Sequence, residues 1–218
     1  MPAADCHFHV FDPARFPYQN GIIYTPHASQ AGTADQLLAV FDAHGISHGL
    51  AVGGAPYGDD NRCLLDGIAC SKGRLKGIAL VKHDISDKEI TKLSDGGIVG
   101  VRINLHNLGL APLLDPQAPA LLAKLKAAKW FCQIQCEKDQ IAEAMPILYE
   151  RGVRYVNFQG GKPLLHPAIA NLTAAVREAN MQPAMITNGW LLPDKIQGII
   201  DAGLATLLVS LDADTVEK

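Results

Sequence analysis

Eight short apolar runs, each separated from the next by an amphipathic stretch, set the strongest limit on what this chain can fold into. The runs fall near 4–10, 49–54, 75–82, 98–103, 130–136, 153–159, 182–187 and 205–211. Several are continuous and rich in Val and Ile, as expected of strands buried on both faces of a parallel sheet. The stretches between them carry helix punctuation. Thr33 is placed to cap 34–44, with Gly45 as the stop, and Ser86 with Glu89 forms a capping box ahead of Ile90. Pro116, Pro167 and Pro193 stand where three more helices begin, at 116–129, 167–179 and 193–202. Further helices are expected over 63–71 and 138–150, the latter ending before Gly152. Eight strands alternating with about seven helices is the arithmetic of a (β/α)8 TIM-like barrel, and 218 residues is a short version of it. An open doubly wound α/β sheet is the alternative. A single barrel over 1–218 is therefore expected, with its last helix missing or truncated, because 212–218 leaves no room for more.

Composition narrows the class. The chain is 48% hydrophobic, with 19 basic against 22 acidic side chains, so it holds one sizeable core and is no candidate for disorder. A net charge of -3 offers no basic field for a nucleic acid. No apolar run approaches the length of a membrane span, and MPAADCHFHV lacks the pattern of a signal peptide. Five Cys without framework spacing point to free thiols in a reducing compartment. A soluble cytoplasmic protein acting on a small molecule, with neither nucleic acid nor membrane as partner, is the expectation.

The most telling segment is Asp5-Cys6-His7-Phe8-His9-Val10-Phe11. Strand side chains alternate, so His7 and His9 share a side, and at the end of a first barrel strand that side faces the mouth, where active sites sit. Two convergent imidazoles can bind zinc or polarise a carbonyl. With DNRCLLDGIA, GRLKGIALV, GIVGVRINLHN and WFCQIQCEKDQIAEAMPIL, this segment resembles the amidohydrolase superfamily, in the branch of 2-pyrone-4,6-dicarboxylate lactonase. The resemblance runs continuously over 1–148 and implies hydrolysis of lactones, esters or amides at the mouth of a barrel. It matches His7 and His9 to the family's first-strand pair and Arg102 to a position that holds a substrate carboxylate. A guanidinium fork suits that task, since it grips a carboxylate at two points. His83 and His106 follow the third and fourth strands and are further substrate-binding candidates at the mouth.

The chain departs from the two-metal pattern of that superfamily. The fifth strand reads Gln133-Ile134-Gln135-Cys136 and the sixth Val156-Asn157-Phe158-Gln159, both without His. A zinc at His7 and His9 would have two protein ligands where three are usual. The resemblance to the lactonase branch implies chemistry without an obligatory metal, so no cofactor is required and a single zinc is the metal alternative.

From about 149 to 218 the character changes. RGVRYVNFQGGKPLLHP, ITNGWLL and VSLD resemble the radical S-adenosylmethionine (SAM) superfamily. A Gly160 and Gly161 turn with Asn188 would carry what remains of a SAM site. Lys162, however, stands where that family has Glu, and a cation there repels the ammonium of SAM. Cys132 and Cys136 have the spacing of two cluster cysteines, but Asp139 stands in the third place, so no iron–sulfur cluster is expected. Five βα units of one family followed by three of another is the plan of a chimera joined near 141–150.

The reading that follows is a hydrolase in which His7 and His9 polarise the scissile carbonyl, Arg102 anchors a carboxylate and Asp212 serves as general base. The alternatives are an engineered or chimeric barrel scaffold without native activity, and a degenerate SAM-binding protein. An absent last helix would uncover one barrel face and favour a homodimer.

Overall fold

The computed structural model describes residues 3–22, 25–137, 140–159 and 163–209. In chain order the elements are β1 (Ala3–Phe8), α1 (Ala34–Ala43), β2 (Ile46–Val52), α2 (Arg62–Cys70), β3 (Leu75–Ala79), α3 (Asp87–Asp95) and β4 (Ile98–Asn104). Then come α4 (Leu105–Leu108), α5 (Ala111–Leu114), α6 (Ala118–Ala127), β5 (Phe131–Gln135), α7 (Gln140–Glu150), β6 (Tyr155–Phe158), α8 (Ile169–Glu178), β7 (Gln182–Thr187), α9 (Leu192–Asp201) and β8 (Thr206–Val209). Every expected strand is present within a few residues of its apolar run. The fold is α/β, that of a short (β/α)8 barrel in element order, with all its ladders parallel.

The chain divides into two compact units. One is Met1–Asn104 with Asp115–Gln135, the other Leu105–Leu114 with Cys136–Lys218. The first holds the sheet β1-β2-β3-β4-β5 and the second the sheet β6-β7-β8. Sequence reasoning expected these strands to close into one sheet, with β8 against β1. Among the described residues that pairing is not made: β1 pairs with β2 and β8 with β7. The β1–β2 register shifts between Ala3 and Ala4 and again between Asp5 and Phe8. The reduced last helix expected after β8 lies outside the described residues.

In the first unit the helices pack on one face of the sheet. Phe41 of α1, Leu64 and Ile68 of α2, Ile90 and Leu93 of α3, and Leu121 and Leu125 of α6 bury against Leu75, Ile98 and Val101. Each such side chain taken fully out of water contributes about 1.5–3 kcal/mol. The helices start where the sequence says they should. Thr33 accepts from the Gln36 N–H while the Gln36 side chain accepts from the Thr33 N–H, and Ser86 and Glu89 repeat the arrangement at α3. Gly45, at φ +65°, lets the chain leave α1 in the left-handed region. Gly100 is required for a different reason: a Cβ there would meet the Phe131 carbonyl oxygen at 2.6 Å, so β4 and β5 could not approach as they do.

In the second unit Leu164, Ile169, Met185 and Ile199 form the core, with Phe158, Ile196 and Leu207 against it. The apolar residues of β8 are unequally covered: Leu207 packs inward, while Leu208 is 52% and Val209 43% exposed. Among the described residues, no helix is long and apolar enough to cross a membrane.

Candidate active site

The first unit brings three of the expected residues together. His7 is the penultimate residue of β1 and His9 follows its end; their rings lie 5.5 Å apart and nearly perpendicular. His9 Nδ1 is 2.8 Å from the carbonyl oxygen of Val52, the last residue of β2. A carbonyl only accepts, so Nδ1 carries the proton and Nε2 keeps its lone pair. Phe11 stacks on the His9 ring and holds its plane. His7 Nε2 is 2.9 Å from a terminal nitrogen of Arg102. A guanidinium only donates, so His7 Nε2 accepts and its proton sits on Nδ1.

Arg102 owes its position to strand register. It lies directly opposite Gln133 in the β4–β5 ladder, with Gln135 two residues on along the same face. Its Nε donates to Gln133 Oε1 at 2.8 Å, and Nη1 lies 3.4 Å from Gln135 Oε1. Three neutral acceptors therefore surround a partly buried cation. Among the described residues no carboxylate pairs with it. Burial pushes the Arg102 pKa down to about 10, which leaves it charged at neutral pH. Burial also lowers the pKa of both histidines. For His7 the nearby Arg102 charge adds to that effect; for His9 the Val52 bond opposes it. The site at neutral pH is thus one open positive charge beside two neutral imidazoles.

The remaining candidates are placed elsewhere. His83 faces Asp115 at 3.8 Å, and His106, in the second unit, faces Glu137 at 3.2 Å. The side chain of Asn188 is spent on its own turn, where it accepts from the Trp190 N–H at 3.3 Å. Gly160, Gly161 and Asp212 lie outside the described residues. Sequence reasoning missed Gln133 and Gln135 as contributors. The signal was present, two amides on alternate positions of a strand beside that of Arg102, but the segment was read for the histidine it lacks.

The residues suit neither metal group that the resemblances bring to mind. Among the described residues, no three His, Cys, Asp or Glu converge. The Nε2 lone pair of His7, a ligand atom for any zinc at this pair, already accepts from a cation. Of the two spaced cysteines, Cys132 packs against the helix-side core of the first unit and its thiol is pushed up to about 12, far from the thiolate that a cluster needs.

A family model described as amidohydrolase matches residues 4–151. The chain belongs to the amidohydrolase family. A second model, described as the radical SAM superfamily, matches residues 135–217, so the two overlap across α7. The 2-pyrone-4,6-dicarboxylate hydrolase of Comamonas testosteroni is 41% identical over 104 residues, 47% of this chain and 33% of that protein. The GTP 3',8-cyclase of Campylobacter fetus is 33% identical over 82 residues, 37% of this chain and 25% of that protein. The amidohydrolase chain thus spans a quarter to a third of the curated relatives it matches. Among solved structures, the probable 2-pyrone-4,6-dicarboxylic acid hydrolase of Acinetobacter baumannii, with citric acid bound, superposes with a TM-score of 0.72 at 24% identity. That match covers 99% of this chain and 86% of the other and bears on the fold alone.

Proposed function

We propose that this amidohydrolase hydrolyses a lactone or ester of a small molecule that also carries a free carboxylate. The observation that carries the reading is Arg102: a partly buried guanidinium beside two neutral imidazoles, with no acid of its own. Desolvating a cation costs several kcal/mol unless a counter-charge compensates, and here the substrate carboxylate would supply it. Hydrogen bonds to charged groups contribute about 1.5–3 kcal/mol each, enough to orient a small anion.

In the reaction, water adds to the acyl carbon and gives one proton to the general base, the ring or ester C–O bond breaks, and that proton passes to the departing oxygen, which leaves as an alcohol. The Nδ1–H of His7 is a donor suited to the carbonyl oxygen. The free lone pair of His9 Nε2 is an acceptor that orients the attacking water. This division revises the expectation that both imidazoles polarise the carbonyl, because His9, with its proton committed to Val52, has none to offer at Nε2. Asp212 retains the role of general base in this reading and lies outside the described residues. No step runs through a metal. The names of the relatives support the class, since the Comamonas protein is named for a lactone that bears carboxylates.

The test is hydrolysis of carboxylated lactones and esters by the purified protein, alongside His9→Gln and Asp212→Asn. The expected result is turnover above buffer that falls in both variants. Turnover no greater than buffer, or variants equal to the parent, would overturn the reading.

A further inference from the structure

We infer that Gln133 is a positioning residue that keeps Arg102 aimed and electrically open, and so decides that the site takes an anion rather than a neutral molecule. This rests on the proposed reading of Arg102 as the carboxylate anchor. The inference adds which residue creates that property and how it could be removed.

Arg102 and Gln133 are opposite partners in adjacent parallel strands, so their side chains leave the sheet side by side on one face. That position could as well hold Glu, and an acid there would satisfy the guanidinium. A partly buried arginine ordinarily gains such a partner, because an unpaired charge out of water is costly. Here the Nε–H instead meets the amide oxygen of Gln133 at 2.8 Å, and the next donor meets the amide oxygen of Gln135. The third goes to His7 Nε2. An amide oxygen accepts a hydrogen bond as a carboxylate does, so direction is retained while the charge is not cancelled. Three of the five guanidinium N–H groups are thereby held, and two have no partner among the described residues. The bond at Nε matters most, since it is short and fixes the plane of the fork; the Gln135 contact, at 3.4 Å, is the weaker support.

The consequence is specific. Glu at 133 would keep the geometry and add the missing charge, making the protein more stable and the site worse. A merely structural role for Gln133 predicts that stability and binding change in the same direction.

The experiment uses the full chain with citrate, a tricarboxylate, as probe, followed by calorimetric titration near neutral pH, with thermal unfolding of each variant. The parent is expected to bind citrate, and Arg102→Gln to lose it. In Gln133→Glu, affinity should fall about tenfold or more, the worth of a charge-assisted hydrogen bond, while the unfolding temperature holds or rises. Gln133→Met removes the acceptor without adding charge. It should lose less affinity than Gln133→Glu, and it keeps the test valid should the Glu variant fold poorly. Citrate binding by Gln133→Glu equal to the parent, with Arg102→Gln still defective, would overturn this inference alone. So would a fall in affinity and unfolding temperature together, with the Met variant behaving as the Glu one. A parent that binds no citrate would overturn both this inference and the anion-anchor reading beneath it.

Discussion

At the strand ends of the first unit, polar side chains reach across the sheet; in the second, the bonds described after β7 lie within its own turn. His9 spans from the end of β1 to the Val52 carbonyl, and Arg102 touches residues of β1 and β5. After β7, by contrast, Thr187 accepts from the Gly189 N–H and Asn188 from the Trp190 N–H, each two residues away. Both units have packed cores and parallel ladders, so the difference is not one of folding. Side chains that engage distant strands are what a site requires, and short-range turn bonds are what a loop requires. The stretch matched by the amidohydrolase model holds the cluster of His7, His9 and Arg102, and the radical SAM-like stretch shows no comparable cluster among its described residues.

The largest effects should show that the two cores are equally real. Phe41, 1% exposed, and Met185, 0% exposed, stand in the cores of their respective units. Truncation to Ala is expected to cost about 3–5 kcal/mol for Phe41 and about 2–5 for Met185, read by chemical denaturation. A negligible cost at Met185 alone would break the comparison and mark the second unit as loosely packed. Helix starts sharpen it at a smaller scale. Thr33→Ala and Ser86→Ala each remove one half of a capping box and should cost about 1 kcal/mol. α8 begins without a side-chain cap, so Ala168→Gly has no such bond to lose and should cost less in the same denaturation experiment.

Acid should act on the first unit through its histidines. The folded pKa of His9 is lowered, chiefly by burial, while the unfolded value is near 6.5. Between those values the unfolded chain binds a proton that the folded chain refuses. The contribution is therefore complete above about 6.5 and is lost as pH falls below that value. His9→Gln should flatten the stability profile over that window relative to the parent, measured as the denaturation midpoint against pH. The smallest effect belongs to Trp190, 75% exposed beyond β7: Trp190→Ser should change stability by no more than about 0.5 kcal/mol.

Much of this was legible in the residues. Apolar runs located the eight strands; β3 and β7 are mostly buried, while β1 and β8 are largely exposed and were legible from their place between helix signals. Thr33, Gly45, Ser86 and Glu89 marked helix ends because their bonds are local. His7 and Arg102 were visible as chemistry-bearing types at strand ends. What could not be read was partnership across the sheet. That Arg102 sits opposite Gln133, and that Val52 fixes the His9 tautomer, depends on register and on carbonyl direction, neither of which leaves a mark on composition or period. The helix expected from Pro116 starts later, at Ala118, because the Asp115 side chain accepts from the Gln117 N–H and holds the chain in a turn first.

The central claim is that an uncompensated Arg102 makes this an anchor site for anionic substrates. Its most direct test is the rate of hydrolysis of a carboxylated lactone against that of the same lactone with its carboxylate masked as a methyl amide, for the parent and for Arg102→Gln. The account predicts a kcat/KM for the parent that favours the carboxylated lactone by about tenfold to a hundredfold, the worth of one or two charge-assisted hydrogen bonds, with the preference gone in Arg102→Gln. A parent that hydrolyses both lactones equally well, or an Arg102→Gln variant that keeps the preference, would contradict it.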